Sequence, residues 1–415
     1  MQNRARPGWQ VGTIFGIPLL IDPSWLFIVG LFTLGYGSDW QTKYPSWETW
    51  QVWGGGLAMS LLLFMSVLVH ELGHSLVAKA QGTKVNSITL FLFGGIASLD
   101  EEAKTPGKAF QVAIAGPLVS ITLFVVLRLL LPVLTPDSPL AEIVGTLASI
   151  NLVLTLFNLI PGLPLDGGQV LKALVWQVTG SRFKGVHWAA RIGQFLGWTA
   201  VVLGLTVTLL SGFRDGGGGL WIALLGWFAV RNASAYDRFT DLQEVLLRLQ
   251  AKDAMTRDYK VIDADQSLRS FADSYVLEQS HSSTYFAASQ GRYRGLVKID
   301  DLHAIERSEW EQRPVQDITH PLTEIATVRE NTPLAAVIQT LEAQQLPMIT
   351  VLTPADSVAG IVDRGDIVRA VGTQMQVRIP AEDIRRIKEE GTFPATFQLQ
   401  AIAKAVLSDL DTEAS

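Results

Sequence analysis

The sequence predicts a multi-pass α-helical membrane protein, with about six transmembrane helices and a short membrane-associated β-sheet, followed by a soluble α/β module. Three observations carry that expectation. The 415 residues change character near residue 232: long apolar runs precede it, while charge rises and such runs vanish after it. A mean hydropathy of +0.27 is too apolar for an ordinary soluble chain and too polar for one held wholly in lipid. A repeat of about 65 residues occupies the polar half, as expected for a duplicated small module.

The first element, 11–21, is rich in β-branched residues around Gly16-Ile17-Pro18 and predicts an extended or hairpin segment. Charge-free windows then mark candidate spans at 23–38, 49–69, 109–127, 143–165, 192–213 and 216–230. The first and last are short for a hydrocarbon layer of about 30 Å. Between the second and third spans, 84–99 reads as strand, ending near Gly94 and Gly95, and an open strand edge cannot face lipid. With the N-terminus inside, inner segments carry Arg4, Arg6, Lys79, Lys84, Lys104, Lys108, Lys172, Arg182, Lys184, Arg191, Arg231 and Arg238, against Lys43 and Arg214 in the outer loops. This asymmetry predicts that both termini are cytoplasmic. Arg4 and Arg6 are not followed by a short apolar region and a cleavage site, so no removable signal peptide is expected.

Composition narrows the chemistry. A formal net charge of -6 offers no basic surface for nucleic acid. The absence of cysteine excludes disulfides, thiolate metal sites and a cysteine nucleophile, leaving His, Asp and Glu as metal ligands. Such residues meet in His70-Glu71-Leu72-Gly73-His74, at the end of the second apolar window. On a helix the two histidines project from one face about a turn apart and can share a metal, with Glu71 beside them where an attacking water would sit. Three ionisable side chains in five residues are costly in a membrane unless they face protein and bind something.

A catalytic zinc takes three protein ligands and keeps an open position. The soluble pattern HExxHxxGxxH is excluded, because Val77 and Ala80 stand where Gly and His are required. Glu101 and Glu102 lie in a polar loop with Asp100 and read as a solvated turn. Asp166 is the better candidate. In Asn158-Leu159-Ile160-Pro161-Gly162-Leu163-Pro164-Leu165-Asp166-Gly167-Gly168 the prolines break the fourth span and deliver one acid at the depth of His70. Capping of the helix that follows is the competing role for this residue.

The two spaced motifs, HELGH within a span and NLIPGLPLDGG at the end of another, resemble the site-two protease family of intramembrane zinc metalloproteases over residues 12–232. Ala115-Gly116-Pro117 also resembles a family feature. The resemblance implies one zinc ion per chain held by His70, His74 and Asp166, with Glu71 as general base. It further implies hydrolysis of peptide bonds within or next to transmembrane segments of membrane-protein substrates. No segment is long enough for the PDZ domain that some members insert. Asn158 is a candidate for substrate or oxyanion contact, with the alternative of holding the helix break together. The strand ending at Gly94 and Gly95 is a candidate for holding substrate extended by strand addition.

In the polar half, an amphipathic stretch at 233–252 predicts a connecting helix. Gly295-Leu296-Val297-Lys298-Ile299-Asp300-Asp301-Leu302 then returns as Gly360-Ile361-Val362-Asp363-Arg364-Gly365-Asp366-Ile367. The pair resembles a tandem CBS domain, with repeats expected at 253–312 and 313–372 and a helical tail at 373–415. That resemblance implies adenosine nucleotide binding through Asp301 and Asp366, although Lys298 and Asp363 occupy the usual hydroxyl positions and Asp363 repels phosphate. A dimerising pair is the alternative. His187, His281, His303 and His320 lack ligand-like neighbours in sequence. Two other classes compete with protease: a CBS-regulated ion transporter or channel, and a zinc-binding pseudoprotease scaffold. Transport normally requires polar residues at several depths, whereas here they cluster at one, and the presence of Glu71 disfavours the scaffold.

Overall fold

The computed structural model describes residues 8–92, 94–100, 102–211, 217–276, 284–393 and 399–413, and divides into two compact units, 1–240 and 241–415. In the first unit a β-hairpin, β1 (Trp9–Ile14) and β2 (Ile17–Ile21), leads into α1 (Pro23–Lys43) and α2 (Thr49–Ala80). A second hairpin follows, β3 (Val85–Phe91) and β4 (Gly94–Leu99), and then α3 (Pro106–Leu130), α4 (Pro139–Asn158), α5 (Asp166–Thr179), α6 (Arg182–Ser211) and α7 (Gly218–Arg248).

Three of these helices begin with the same local grammar. Asp22, Thr105 and Ser138 each accept a backbone N–H of the first turn, and each is followed by a proline whose missing N–H needs no partner there. The windows predicted from charge fall mainly in helices, although 143–165 runs past the end of α4 at Asn158, and among the described residues four helices, Thr49–Ala80, Pro106–Val133 (α3 with its terminal 3-10 turn), Pro139–Asn158 and Arg182–Ser211, are long and apolar enough to cross a membrane. The other two depart for visible reasons: α1 carries Asp39 and Lys43 in its last turns, and α7 turns polar beyond Val230. The chain between the fifth and sixth windows, 212–216, lies outside the described residues, as do 1–7 with Arg4 and Arg6.

The segment 84–99, expected as one strand, is a hairpin, because the chain reverses before Gly94 at φ +131°. The four strands form one sheet in the order β1-β2-β3-β4, with β2 and β3 parallel and the outer pairs antiparallel. Ile17, Ile88 and Leu90 bury one face against Leu68 and Leu72 of α2, which fixes the sheet beside the histidine turn. α4 stops at Asn158 because Pro161 cannot donate to the helix, and the chain runs irregularly to Asp166.

The second unit contains the predicted duplication. A short helix, α8 (Ala251–Ala254), precedes β5 (Tyr259–Asp263), α9 (Leu268–Phe271), β6 (Thr284–Ser289), β7 (Arg292–Val297) and α10 (Ile299–His303). After β8 (Thr319–Pro321), the same order returns as β9 (Thr327–Arg329), α11 (Leu334–Ala343), β10 (Met348–Leu352), β11 (Val358–Asp363) and α12 (Arg364–Gln374). In each copy the first two strands are parallel and the next two antiparallel. The copies exchange their leading segments. Thr256 bridges Ile361 of the second copy, while β8 pairs with β7 of the first.

The tail is part of this core. Helix α13 (Ala381–Glu390) buries Ile387, and α14 (Leu399–Glu413) buries Leu399, Ile402, Ala403 and Val406 against α11. Ile402→Asp places a carboxylate where the native side chain is 1% exposed, so it is expected to lower the melting temperature of this unit by more than about 10 °C, measured by thermal denaturation with limited proteolysis.

Candidate metal centre

The candidate metal site is assembled by three helices that approach from different directions. α2 supplies His70 and His74 from consecutive turns, with ring centroids 5.0 Å apart. α5 begins at Asp166, whose carboxylate makes no capping bond and points at the histidines. Asp166 Oδ2 lies 3.1 Å from His70 Nε2 and 3.4 Å from His74 Nε2, and the two Nε2 atoms are 3.3 Å apart. The competing capping role predicted for Asp166 is therefore not the one this carboxylate takes.

These separations test the fit to zinc directly. Ligand bonds of about 2.0–2.1 Å in tetrahedral geometry place neighbouring donors about 3.3 Å apart. Three such atoms at that spacing need a proton or a metal ion between them. Among the described residues, these three form the group of His, Asp and Glu able to hold a metal ion. The donor set therefore fits zinc.

α3 is the floor of the site, and its role is visible only in three dimensions. His74 Nδ1–H donates to the Val112 carbonyl at 2.6 Å, which leaves Nε2 as the lone-pair nitrogen. His70 Nδ1 lies 2.9 Å from Ser120 Oγ, and both residues are buried. Val112, Gly116 and Ser120 stand four residues apart on one face of α3. A Cβ on Gly116 would lie 2.7 Å from His70 Nε2 and closer still to His74 Nε2. Sequence reading quoted Gly116 only as part of Ala115-Gly116-Pro117 and passed over Val112 and Ser120. The spacing of four around that glycine was the available signal.

Asn158 Nδ2 lies 3.4 Å from His70 Nε2, so the residue ending α4 stands at the ligands. Strand β4 lies across Glu71: a Cβ on Gly95 would meet Glu71 Cγ at 2.7 Å, while Gly94 faces Val67. Glu102, read as part of a solvated turn, instead pairs with Lys172 and Arg182, because α5 and α6 bring two cations over that loop. Glu101 lies outside the described residues.

The predicted nucleotide carboxylates of the second unit differ from each other. Asp301 is half-exposed and accepts from His320 Nε2 at 2.6 Å. Asp366 is fully buried and paired with Arg369 and with Lys388 Nζ at 2.9 Å, and Lys388 also reaches Asp363 at 2.9 Å. Burial alone would lower the pKa of Lys388, but its bonds to Asp366 and Asp363 outweigh it and hold the ammonium above its ordinary range. His320 and, in the first unit, His187, which contacts Asp237 at 2.6 Å, are each paired with a carboxylate. His281 is not among the described residues.

Comparison with known proteins places this geometry in context. The model of peptidase family M50 matches residues 58–141 and 133–200, and that of the CBS domain matches 315–373. A Synechocystis protein named "Putative zinc metalloprotease sll0528" is 41% identical over 365 residues, covering 88% of this chain and 95% of that one. A Mycobacterium tuberculosis protein named "Putative zinc metalloprotease Rip3" is 33% identical, covering 88% and 93%. The solved site-2 protease from Methanocaldococcus jannaschii is 29% identical, covers 55% of this chain and 95% of its own, and superposes with a TM-score of 0.39.

Two substitutions on α3 test the floor. Gly116→Ala is expected to abolish zinc retention, because its methyl group occupies the space between the two Nε2 atoms. Ser120→Ala is expected to weaken zinc affinity by about 10–100-fold while preserving the fold. Elemental analysis and competitive chelator titration of the purified variants measure both.

Proposed function

The chain belongs to peptidase family M50 and is an intramembrane zinc metalloprotease of the site-2 protease type, and we propose that His70, His74 and Asp166 hold its zinc while Glu71 is the general base. The observation that carries the assignment is the convergence of three lone-pair donors within 3.1–3.4 Å of one another.

Bound zinc supplies Lewis acidity, activating water near neutral pH and polarising the carbonyl that is attacked. Glu71, one residue from His70, takes the proton of the attacking water and returns it to the leaving amine. The Val112 carbonyl accepts from His74 Nδ1–H and so leaves Nε2 of that ring facing the site, while Ser120 Oγ anchors the His70 ring at Nδ1. Asn158 directs its amide N–H toward the same centre, where it serves the substrate carbonyl or the developing oxyanion. The substrate is a membrane protein whose transmembrane segment unwinds locally and pairs with the free edge of β4 beside Glu71. The position of β4 as the outermost strand supports this docking.

In this proposal 1–232 form the protease domain, 233–252 the connecting helix, 253–312 and 313–372 the two CBS repeats, and 373–415 the tail. The Lys and Arg asymmetry of the loops supports cytoplasmic termini and a cytoplasmic CBS pair. An adenosine nucleotide, where the pair takes one, engages Asp301, since the carboxylate of Asp366 is already held by Lys388. The paired repeats also serve as a homodimer contact.

Glu71→Gln is expected to retain one zinc per chain and lose cleavage of a reconstituted transmembrane peptide by more than about 100-fold, whereas His74→Ala loses both metal and activity. Wild-type cleavage by Glu71→Gln rejects the base. Added AMP or ATP is expected to raise the melting temperature of the wild type and not that of Asp301→Asn. Unchanged melting of the wild type leaves the repeats as a dimerising pair.

A further inference from the structure

Glu102 is not in the ligand set, yet it stands in the connector between the strand over Glu71 and the helix that floors the metal site. Its Oε2 lies 3.0 Å from Lys172 Nζ and 3.7 Å from Arg182 Nη1. Lys172 is six residues beyond Asp166 on α5, less than two turns along the same helix, and Arg182 opens α6. The cationic side chains are 11% and 17% exposed, while that of Glu102 is 59% exposed. Two largely buried cations therefore converge on one oxygen that a half-open carboxylate brings to them. A surface ion pair contributes little, but a pair whose cations are shielded from water keeps more of its attraction.

The consequence is mechanical. β4 presses on Glu71 through Gly95, and α3 holds both imidazoles; α5 carries Asp166. α3 also packs directly on α5, whereas β4 rests on β3 and α2. Glu102, in the connector that follows β4, is a charged link from that strand to α5 and α6.

We propose that Glu102, through Lys172 and Arg182, is the positioning residue that holds β4 and the Asp166 helix at the separation an unwound substrate needs to lie along β4 within reach of Glu71. This rests on the reading of β4 as the docking strand. Loss of the link lets β4 drift from the ligands, so it weakens substrate capture more than it slows the bond-breaking step, and it leaves the zinc ligands in place.

The absence of native cysteine allows a direct measurement on the full chain. Spin labels at Ser98→Cys, on β4, and Gln177→Cys, on α5, report their separation by pulsed electron resonance in lipid nanodiscs. Cleavage is followed with a fluorogenic transmembrane peptide carrying a central Asn-Gly. Glu102→Gln is expected to broaden the distance distribution and raise KM at least about five-fold, with kcat changed less than about two-fold and one zinc retained. The exchange variant E102K/K172E is expected to restore both the narrow distribution and the low KM. Wild-type distances and KM in Glu102→Gln overturn the proposal. If β4 does not dock substrate, KM stays unchanged while the distances still broaden, so failure of the docking reading is told apart from failure of the link.

Discussion

Three lone-pair donors held at zinc-ligand spacing inside an apolar helix bundle are the constraint on which the first unit depends. They repel one another unless a proton or a metal ion joins them, and a bilayer offers no water to soften that repulsion. The surrounding structure supplies what is needed to keep them there. α3 must come close enough to accept from the imidazole of His74 and meet that of His70, and the missing side chain of Gly116 makes room for their Nε2 atoms. α4 must stop at the depth of the histidines, and Pro161 stops it. The broken chain then restarts as α5 with Asp166 as its first residue, so a helix beginning serves as the arm that brings this carboxylate to the histidines.

What the sequence made legible was local or periodic. Asp22-Pro23, Thr105-Pro106 and Ser138-Pro139 mark helix starts because capping and the missing proline N–H act within one turn. His70 and His74 are legible as a pair because a helix repeats every 3.6 residues. Asp166 was reachable through the proline break and its matching depth. Ser120, Val112 and Glu102 were not, since their partners lie 50, 38 and 70 residues away; the spacing of four around Gly116 marks a face of α3 but not what that face meets. The hairpin within 84–99 was missed for a different reason. Its reversal depends on the positive φ at Gly94, and the sequence showed that glycine only as the end of a strand.

The second unit shows how duplication can be kept in fold and altered in chemistry. Both copies repeat the same strand and helix order, and each lends its leading segment to the other, so neither is complete alone. Yet Asp301 and Asp366, at equivalent places, have different partners. The first meets a histidine in a half-exposed contact; the second is sealed by an ammonium from a tail helix whose neighbour α14 is built into the core. A lysine held by two carboxylates stays charged at neutral pH. Three-dimensional packing brings Lys388 of the helical tail onto Asp363 and Asp366.

The edge of β4 brings these threads to the chemistry. An unpaired strand edge is a liability in water and worse in lipid, where each unsatisfied backbone group costs several kcal/mol. A transmembrane substrate faces the same penalty from the other side: unwinding one turn frees about four carbonyls and four N–H groups. In the proposed docking, strand addition offsets both costs at once. The pairing order β1-β2-β3-β4 leaves that edge outermost, and Gly95 places it against Glu71. On this reading the sheet is short because it needs to present one edge, at one depth, for one unwound turn.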